Sequence, residues 1–287
     1  MAKKEEILKK LEEIPALPTN ASSILQKIQN HEIPLTDIAK EIQTDPILTS
    51  NILKLANSAY FAGPKRISTV KEAIVMLGVN RVYQIIIASA IFPLALKPLK
   101  GYDLPAGELV RHLVGTAVIS ELLGKELNVI LPPYTFTVGL LHDIGKIALG
   151  TFLEAEVKLI IEKAYNEKMS FEQAEKEVLG IDHAEAGAFL MKEWHFPDNL
   201  IIPVLYHHDP DKALGEYQLV TDIVHIASNI CIECGIGAGV DGLNYNNNPQ
   251  SVDRLGITSQ NVEKVICQFL SEFNSIMENI EIPIGRE

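Results

Sequence analysis

The chain has 287 residues, 47% of them hydrophobic, which is enough to bury the core of two packed domains. Its formal net charge of −12 excludes the broad positive surface of a general nucleic-acid binder, and no long run of Lys and Arg offsets it. Three cysteines are too few for a disulfide framework.

The N-terminal segment MAKKEEILKKLEEI mixes charged residues with Ile7, Leu8 and Leu11, which predicts an amphipathic helix rather than a signal peptide. The longest apolar run, residues 82–96, is too short to span a membrane and contains Pro93. It therefore predicts a buried helix. Together these segments indicate a cytoplasmic protein without membrane contact.

Helix-start signals recur along the chain, and no series of alternating β-branched residues indicates strands. Asp45 precedes Pro46, an arrangement typical of an N-cap followed by the first helical position. The pattern predicts an all-α protein. Further start or stop signals are Thr69-x-x-Glu72 before Gly78, Ser170-x-x-Gln173 before Gly180, Asp182-x-x-Glu185, and Thr258-Ser259.

A domain boundary is predicted near residues 95–107, where prolines and glycines cluster after the apolar run. We divide the chain into an N-terminal helical domain, 1–100, and a C-terminal helical domain, 101–287. Seven of the eight histidines lie in the second domain, which indicates that a functional site is there.

Two further segments have ordinary structural interpretations. The glycine- and asparagine-rich stretch 235–251 follows a predicted helix rather than a strand, so it predicts a surface loop and not a dinucleotide-binding turn. Cys231 and Cys234 form C-x-x-C, but a zinc ribbon requires a second such pair. Their spacing is that of neighbours on one helix face.

The segment GLLHDIGKIAL, residues 139–149, places His142 and Asp143 side by side among apolar residues. Burial of two such groups is costly unless a metal ion or hydrogen bonds compensate them. Other predicted helices present His112, His183 and the pair His207–His208. Each histidine alone is more typical of a hydrogen-bonded core residue or a solvated helix end. Their co-occurrence favours a site with two ligand sets that share a bridging group.

The remaining histidines are weaker candidates. His31, and His195 within KEWHFPDN, are typical of structural or solvated residues, and His225 is ambiguous.

The order of these motifs resembles a known family. HDIGK, preceded by a helical His and followed by further histidines, resembles the HD-domain superfamily of metal-dependent phosphohydrolases. QTDP, LANSAYF and AIVMLG, in that order, with HAEAGAFLMKEWHFPDNLIIPVLYHH, resemble more closely the HDOD (HD-related output domain) family. The resemblance covers roughly residues 10–235.

The resemblance implies an N-terminal helical bundle packed on an HD-like helical domain, in a bacterial signalling protein that acts through protein contacts. It assigns a first metal to His112, His142 and Asp143, with Ser228 where HD enzymes carry a final Asp. A second metal is assigned to His183, His207 and His208. Lys146 matches a lysine that holds phosphate in related phosphodiesterases.

Three functions follow as alternatives. The first is a non-catalytic regulatory protein that docks signalling proteins and binds one or two divalent transition ions (Fe, Mn, Zn or Ni) in a degenerate HD site. The second is a metal-dependent phosphohydrolase acting on a nucleotide or cyclic dinucleotide, with Asp143 and Lys146 in catalysis. The third is an iron-based redox sensor. LANSAYF and QTDP are interpreted as caps and helix-packing segments.

Overall fold

The structure, a computed structural model, describes residues 2–14, 34–57, 66–243 and 247–278. These residues form helices connected by turns, and the β-pairing among them is one isolated bridge between Leu99 and Leu104. The all-α prediction is confirmed. His31, part of the N-terminal motif region and the end of LANSAYF lie outside the described residues.

The described residues form fourteen α-helices, numbered here in chain order. They are α1 (Ala2–Glu12), α2 (Leu35–Gln43), α3 (Pro46–Ala56), α4 (Val70–Leu77), α5 (Val79–Ala95), α6 (Glu108–Glu126), α7 (Thr135–Leu141), α8 (Gly145–Glu167), α9 (Phe171–Leu179), α10 (His183–Glu193), α11 (Asp198–Tyr206), α12 (Gln218–Glu233), α13 (Pro249–Leu255) and α14 (Ser259–Glu278).

The chain divides into two compact units. In the described part of the chain, the larger unit contains residues 2–14, 95–243 and 247–269, and the smaller contains 34–57, 66–94 and 270–278. The division at residue 100 stays a prediction. None of the described helices combines the length and apolar composition that crossing a membrane requires.

The smaller unit packs α2, α3 and α4 against one another. Its buried residues are aliphatic, among them Ile38, Ile42, Ile52 and Ile74. The side chain of Asn57, from the LANSAYF motif, donates to the Ile67 carbonyl and accepts from its N–H, both at 2.8 Å. These bonds support the structural interpretation of that motif.

The predicted caps of the smaller unit are confirmed. The Asp45 carboxylate accepts from the Leu48 N–H at 3.0 Å, and Pro46 is the first residue of α3. Thr69 and Glu72 form a reciprocal capping box at the start of α4, which ends at Gly78. Such caps satisfy the backbone N–H groups that a helix leaves free at its start.

The larger unit contains two groups of three packed helices. In it α6 packs against α7 and α12, while α8 packs against α9 and α10. Asp182 and Glu185 form the predicted capping box of α10. Ser170 precedes α9, which ends at Gly180 as predicted.

The prediction of a surface loop is wrong for the first part of 235–251. Ile236, Gly237 and Asp241 are buried within the larger unit. A Cβ on Gly237 would lie only 2.4 Å from Cβ of His112, so the backbone approaches α6 at a distance that only glycine permits. This segment therefore belongs to the packing around the candidate site.

Candidate metal centre

The predicted ligands come from helix interiors and helix ends of the larger unit. His112 lies in the second turn of α6, while His142 and Asp143 follow α7 directly. His183 is the first residue of α10, and His207 and His208 follow α11.

Gly145 lets α8 approach α10 closely. A Cβ at this position would lie 1.9 Å from the carbonyl oxygen of His183 and 2.5 Å from the N–H nitrogen of Gly187. No side chain fits there, so the glycine of HDIGK allows Asp143 and His183 to lie close together.

The structure brings all six predicted ligand residues together in two overlapping groups. One contains His112, His142 and Asp143. The other contains Asp143, His183, His207 and His208. Within each group the ligand atoms lie within 4.8 Å of one another. His208 is partly exposed and the other five are buried. That these residues bind metal stays a prediction.

Asp143 lies between the two groups, with one carboxylate oxygen facing each. Its Oδ2 is 3.4 Å from Nε2 of both His112 and His142. Its Oδ1 is 3.4 Å from Nε2 of His183 and 3.5 Å from Nε2 of His207. This is the arrangement expected of a carboxylate that bridges two metal ions.

The Nδ1 atoms of the histidines are held by other partners. Nδ1 of His142 lies 2.9 Å from the Gly139 carbonyl, and Nδ1 of His207 lies 2.7 Å from the Val204 carbonyl. Nδ1 of His112 lies 3.2 Å from the Ile236 carbonyl. Carbonyl oxygens only accept, so each Nδ1 carries a proton and each neutral ring presents an unprotonated Nε2 to the cluster.

His183 differs because its Nδ1 partner is a carboxylate. Nδ1 lies 2.6 Å from Oε2 of Glu175, which also accepts from the His183 N–H at 3.0 Å. The other oxygen of Glu175 accepts from the Tyr102 hydroxyl at 2.6 Å. A carboxylate behind a histidine orients the ring and raises its basicity toward a metal.

The donor atoms fit a metal ion. Nε2 of His112 and of His142 face each other at 3.2 Å, and Nε2 of His183 and of His208 at 2.7 Å. Nε2 of His207 and Oδ1 of Asp143 are buried without a hydrogen-bond partner in the described residues. Converging lone pairs repel unless a proton or a cation lies between them, and imidazoles with a carboxylate suit transition metals.

The pKa values indicate which imidazole ring is protonated when the cluster holds no metal cation. Burial disfavours a charged His183, but Glu175 and Asp143 outweigh it and raise the pKa of His183 to about 10. Burial lowers the pKa of His207 to about 4 and also lowers that of His142. Burial opposes ionisation of Asp143, yet Lys146 and the adjacent imidazoles hold its pKa well below the ordinary range.

The buried charges around the cluster are unbalanced. The carboxylates of Asp143 and Asp241 contact the Lys146 ammonium, the carboxylate of Glu175 contacts His183, and these buried side chains together carry three acids and one ammonium. With neutral histidines this group has two uncompensated negative charges. Because uncompensated buried charge is costly, the group favours either a proton on His183 or a divalent cation.

Lys146, the residue matched to a phosphate-holding lysine, forms ion pairs with two carboxylates. Its Nζ lies 2.6 Å from Oδ2 of Asp143 and 2.5 Å from Oδ2 of Asp241, and only 2% of its side chain is exposed. An ammonium in this position has no direct access to a ligand from solvent.

Ser228 lies in the site, as the resemblance implied. Its Oγ is 3.3 Å from Nε2 of His112 and it is buried on α12. A hydroxyl there adds no negative charge to the first ligand group, whose only carboxylate is Asp143. This group is therefore less favourable to a hard divalent ion than one with two carboxylates.

Glu175, Asp241 and Tyr102 were not among the residues predicted from the sequence to belong to the site. Glu175 had a detectable signal, because it falls on the apolar face of α9 beside Ala174 and Leu179, where an acid requires a partner. Asp241 lies in a glycine-rich segment without periodicity. No local pattern places it beside Lys146.

Other candidates lie outside the cluster. His225 Nδ1 donates to the backbone carbonyl of His207 at 2.7 Å, and its Nε2 accepts from the Asn248 N–H at 2.9 Å, which gives it a structural role. His195 is exposed and ends its turn at φ +60°. Cys231 and Cys234 belong to neither potential metal cluster in the described residues.

A cavity of about 400 Å³ opens beside the second ligand group. Of the six ligand residues, His208 alone lines it. Its charged lining is mixed, because Lys176 pairs with Glu185 at 2.9 Å and Lys212 pairs with Asp209 at 2.8 Å. Solvent therefore reaches the cluster at its His208 edge.

The fold and the two histidine groups together define an all-α protein with a buried His/Asp cluster that could hold a metal ion. The HDOD domain family matches residues 14–210, and the chain belongs to this family. An uncharacterised protein of Treponema pallidum (strain Nichols) is 27% identical in an alignment of 232 positions that covers 77% of this chain. The chain spans only 43% of that relative's length.

Solved structures share the fold. A crystal structure from Shewanella amazonensis SB2B, provisionally named a phosphohydrolase, is 26% identical with a TM-score of 0.72, covering 96% of this chain and 97% of that one. An HDOD domain protein of unknown function from Geobacter sulfurreducens is 23% identical with a TM-score of 0.73, covering 99% and 98%. A Marinobacter aquaeolei VT8 protein, provisionally named a signal transduction protein, is 19% identical with a TM-score of 0.73, covering 98% and 65%.

Proposed function

We propose that this protein is a non-catalytic signal-transduction protein that binds a divalent transition metal at the His/Asp cluster and acts through contacts with other signalling proteins. The observation that carries the proposal is the pairing of Lys146 with Asp143 and Asp241. Because the Lys146 ammonium is bound to these two carboxylates, it is not free to hold a phosphate, whereas the candidate metal ligands still face one another.

Metal binding is supported by the orientation of four of the five imidazole rings. Four Nε2 atoms surround the Asp143 carboxylate at 3.4–3.5 Å, and the Nδ1 atoms behind them have partners that keep the rings in place. Five imidazoles and one carboxylate suit Fe, Mn, Zn or Ni, as one ion or two.

The proposal that the protein does not turn over a phosphoester is supported by the burial of the candidate ligands and by the small number of charged groups that could assist catalysis. Five of the six ligand residues are buried, and Ser228 contributes a neutral hydroxyl where an additional carboxylate would strengthen the first ligand group. A phosphoester that approached along the cavity at His208 would meet two lysines that are already paired with carboxylates. Transition-state charge on a phosphoryl group would therefore meet few free donors.

The partners we propose are other signalling proteins, as membership of the HDOD family suggests. The net charge of −12 suits a basic protein surface better than a nucleic acid. Chemical crosslinking of the metal-loaded and metal-stripped protein in a cell extract is expected to give different partner sets. Identical sets would contradict a metal-dependent regulatory role.

Elemental analysis of freshly purified protein, combined with a screen of nucleotide phosphoesters, tests the main proposal. We expect bound Fe, Mn, Zn or Ni and no cleavage. The Asp143→Ala variant is expected to lose the metal, because it removes the only ligand shared by the two groups.

The alternative is a metal-dependent phosphohydrolase acting on a nucleotide or cyclic dinucleotide. It is favoured by the cavity at His208 and by likeness to the Shewanella protein provisionally named a phosphohydrolase. Divalent ions here would polarise a phosphoryl oxygen, with Asp143 holding them and Lys146 steadying the phosphate. Phosphodiester cleavage that disappears in Asp143→Ala would establish this alternative and overturn the non-catalytic proposal.

A further inference from the structure

The segment after α12 packs directly on the candidate metal centre. The carbonyl of Ile236 accepts from Nδ1 of His112 at 3.2 Å. The N–H of Gly237 donates to Oε2 of Glu108 at 3.2 Å, one turn before His112. A Cβ on Gly239 would lie 2.1 Å from the carbonyl oxygen of Tyr102. The backbone of 236–239 is therefore held at both ends.

This anchored segment places Asp241 beside Lys146. Asp241 is 1% exposed, and its Oδ2 lies 2.5 Å from Nζ of Lys146. Its Oδ1 is buried and accepts no hydrogen bond within the described residues. The carboxylate therefore interacts with the ammonium and with little else.

The same ammonium also contacts the bridging carboxylate. Nζ of Lys146 lies 2.6 Å from Oδ2 of Asp143, the oxygen that faces His112 and His142. A cation at this distance competes with a metal ion for the same oxygen. In a buried site the competition is strong, because charges are poorly screened there.

We propose that Asp241 is a positioning residue for the metal centre, which shares the Lys146 ammonium and so leaves Asp143 Oδ2 available as a metal ligand. This inference rests on the proposed metal binding. Without the Asp241 charge, Lys146 would pair with Asp143 alone. The affinity for a metal ion therefore increases as the net charge of the Asp143–Lys146–Asp241 group becomes more negative.

The inference predicts an order of affinities among three variants. Asp241→Asn removes one negative charge but keeps the size and an acceptor oxygen, and it weakens Zn²⁺ binding by about tenfold or more, a change typical of altered outer ligands. Lys146→Met removes the competing cation and strengthens binding. The double variant Lys146→Met/Asp241→Asn restores the wild-type charge and binds Zn²⁺ within about threefold of wild type, within the usual context-dependence of such contributions.

Isothermal titration of the chelator-stripped full chain with Zn²⁺ measures these affinities, and circular dichroism checks that each variant is folded. Asp222→Asn is the matched control, because Asp222 is an equally buried aspartate that pairs with Arg254 at 2.7 Å and contacts none of the six ligand residues through its side chain in the described structure. We expect it to leave Zn²⁺ affinity unchanged.

Equal Zn²⁺ affinity in wild type and Asp241→Asn would overturn the inference while leaving the proposed function intact. A double variant as weak as Asp241→Asn would also overturn it, since the loss would then not depend on Lys146. If Asp241→Asn does not fold, Lys146→Met decides: a Zn²⁺ affinity no higher than that of wild type contradicts the charge argument. Wild-type protein that binds no Zn²⁺, Fe²⁺, Mn²⁺ or Ni²⁺ would overturn the proposed function itself and this inference with it.

Discussion

Glu175 and His183 form a buried pair, with Oε2 of the carboxylate 2.6 Å from Nδ1 of the ring and neither side chain exposed. The same oxygen accepts from the His183 backbone N–H. The start of α10 is thus tied to α9 at the residue that points its Nε2 at Asp143. This contact links helix packing to the candidate ligand set.

Replacing Glu175 with Gln is expected to lower Zn²⁺ affinity about 10- to 100-fold, because an amide orients the ring less firmly and does not raise its basicity. Isothermal titration measures the change. Glu177→Gln on the same helix is the control, since Glu177 pairs with Lys163 and lies away from the cluster. Unchanged affinity in Glu175→Gln would mean that His183 does not bind the ion.

The pKa of His183 predicts an alkaline loss of stability in the metal-free protein. Its folded value, about 10, is raised above the ordinary 6.5, so its stabilising contribution is complete below pH 6.5 and disappears as the pH rises through 10. Urea unfolding in chelator at pH 7 and 9.5 tests this. Excess Zn²⁺ should reduce the difference, because a cation then replaces the proton. A chelated protein equally stable at both values contradicts the prediction.

His225 predicts a loss of stability in acid. Burial lowers its pKa to about 4, so the unfolded chain binds a proton before the folded chain does. Stability is therefore complete above pH 6.5 and falls as the pH drops toward 4, by roughly 3 kcal/mol for this residue. His225→Gln should show a shallower acid loss in urea titrations at pH 7 and 4.5. The exposed His195→Gln should follow wild type, and a slope in His225→Gln as steep as in wild type would contradict the assignment.

Gly237→Ala is expected to disturb the cluster, because the new methyl group would meet Cβ of His112 at 2.4 Å in addition to straining a backbone with φ +66°. We expect a stability loss of about 2 kcal/mol or more and weaker Zn²⁺ binding. Gly215→Ala provides a matched control. Its φ is +67° with no atom within 4 Å of the added Cβ, so only the backbone cost of about 1 kcal/mol applies. Equal losses in chemical unfolding of the two variants would show that the contact with His112 is unimportant.

Local sequence patterns were sufficient for the all-α class, for several helix starts and for the six candidate ligand residues. The capping boxes at Thr69 and Asp182 depend on groups three residues apart, so they are visible in a short window. The histidines were candidates because imidazoles in apolar segments need partners, and the likeness to the HDOD family ordered them into two groups. The structure brings those residues together.

Local sequence patterns could not predict which acidic side chains contact His183 and Lys146. Glu175 lies eight residues from His183, while Asp241 lies 95 residues from Lys146 and approaches it only because 236–239 packs on α6 and on Tyr102. The same packing buries a segment whose composition predicts a surface loop. Composition and local spacing thus determined the all-α class and the candidate ligands. Tertiary structure decided which carboxylates hold Lys146 and His183, because long-range packing sets the distances on which buried charge interactions depend.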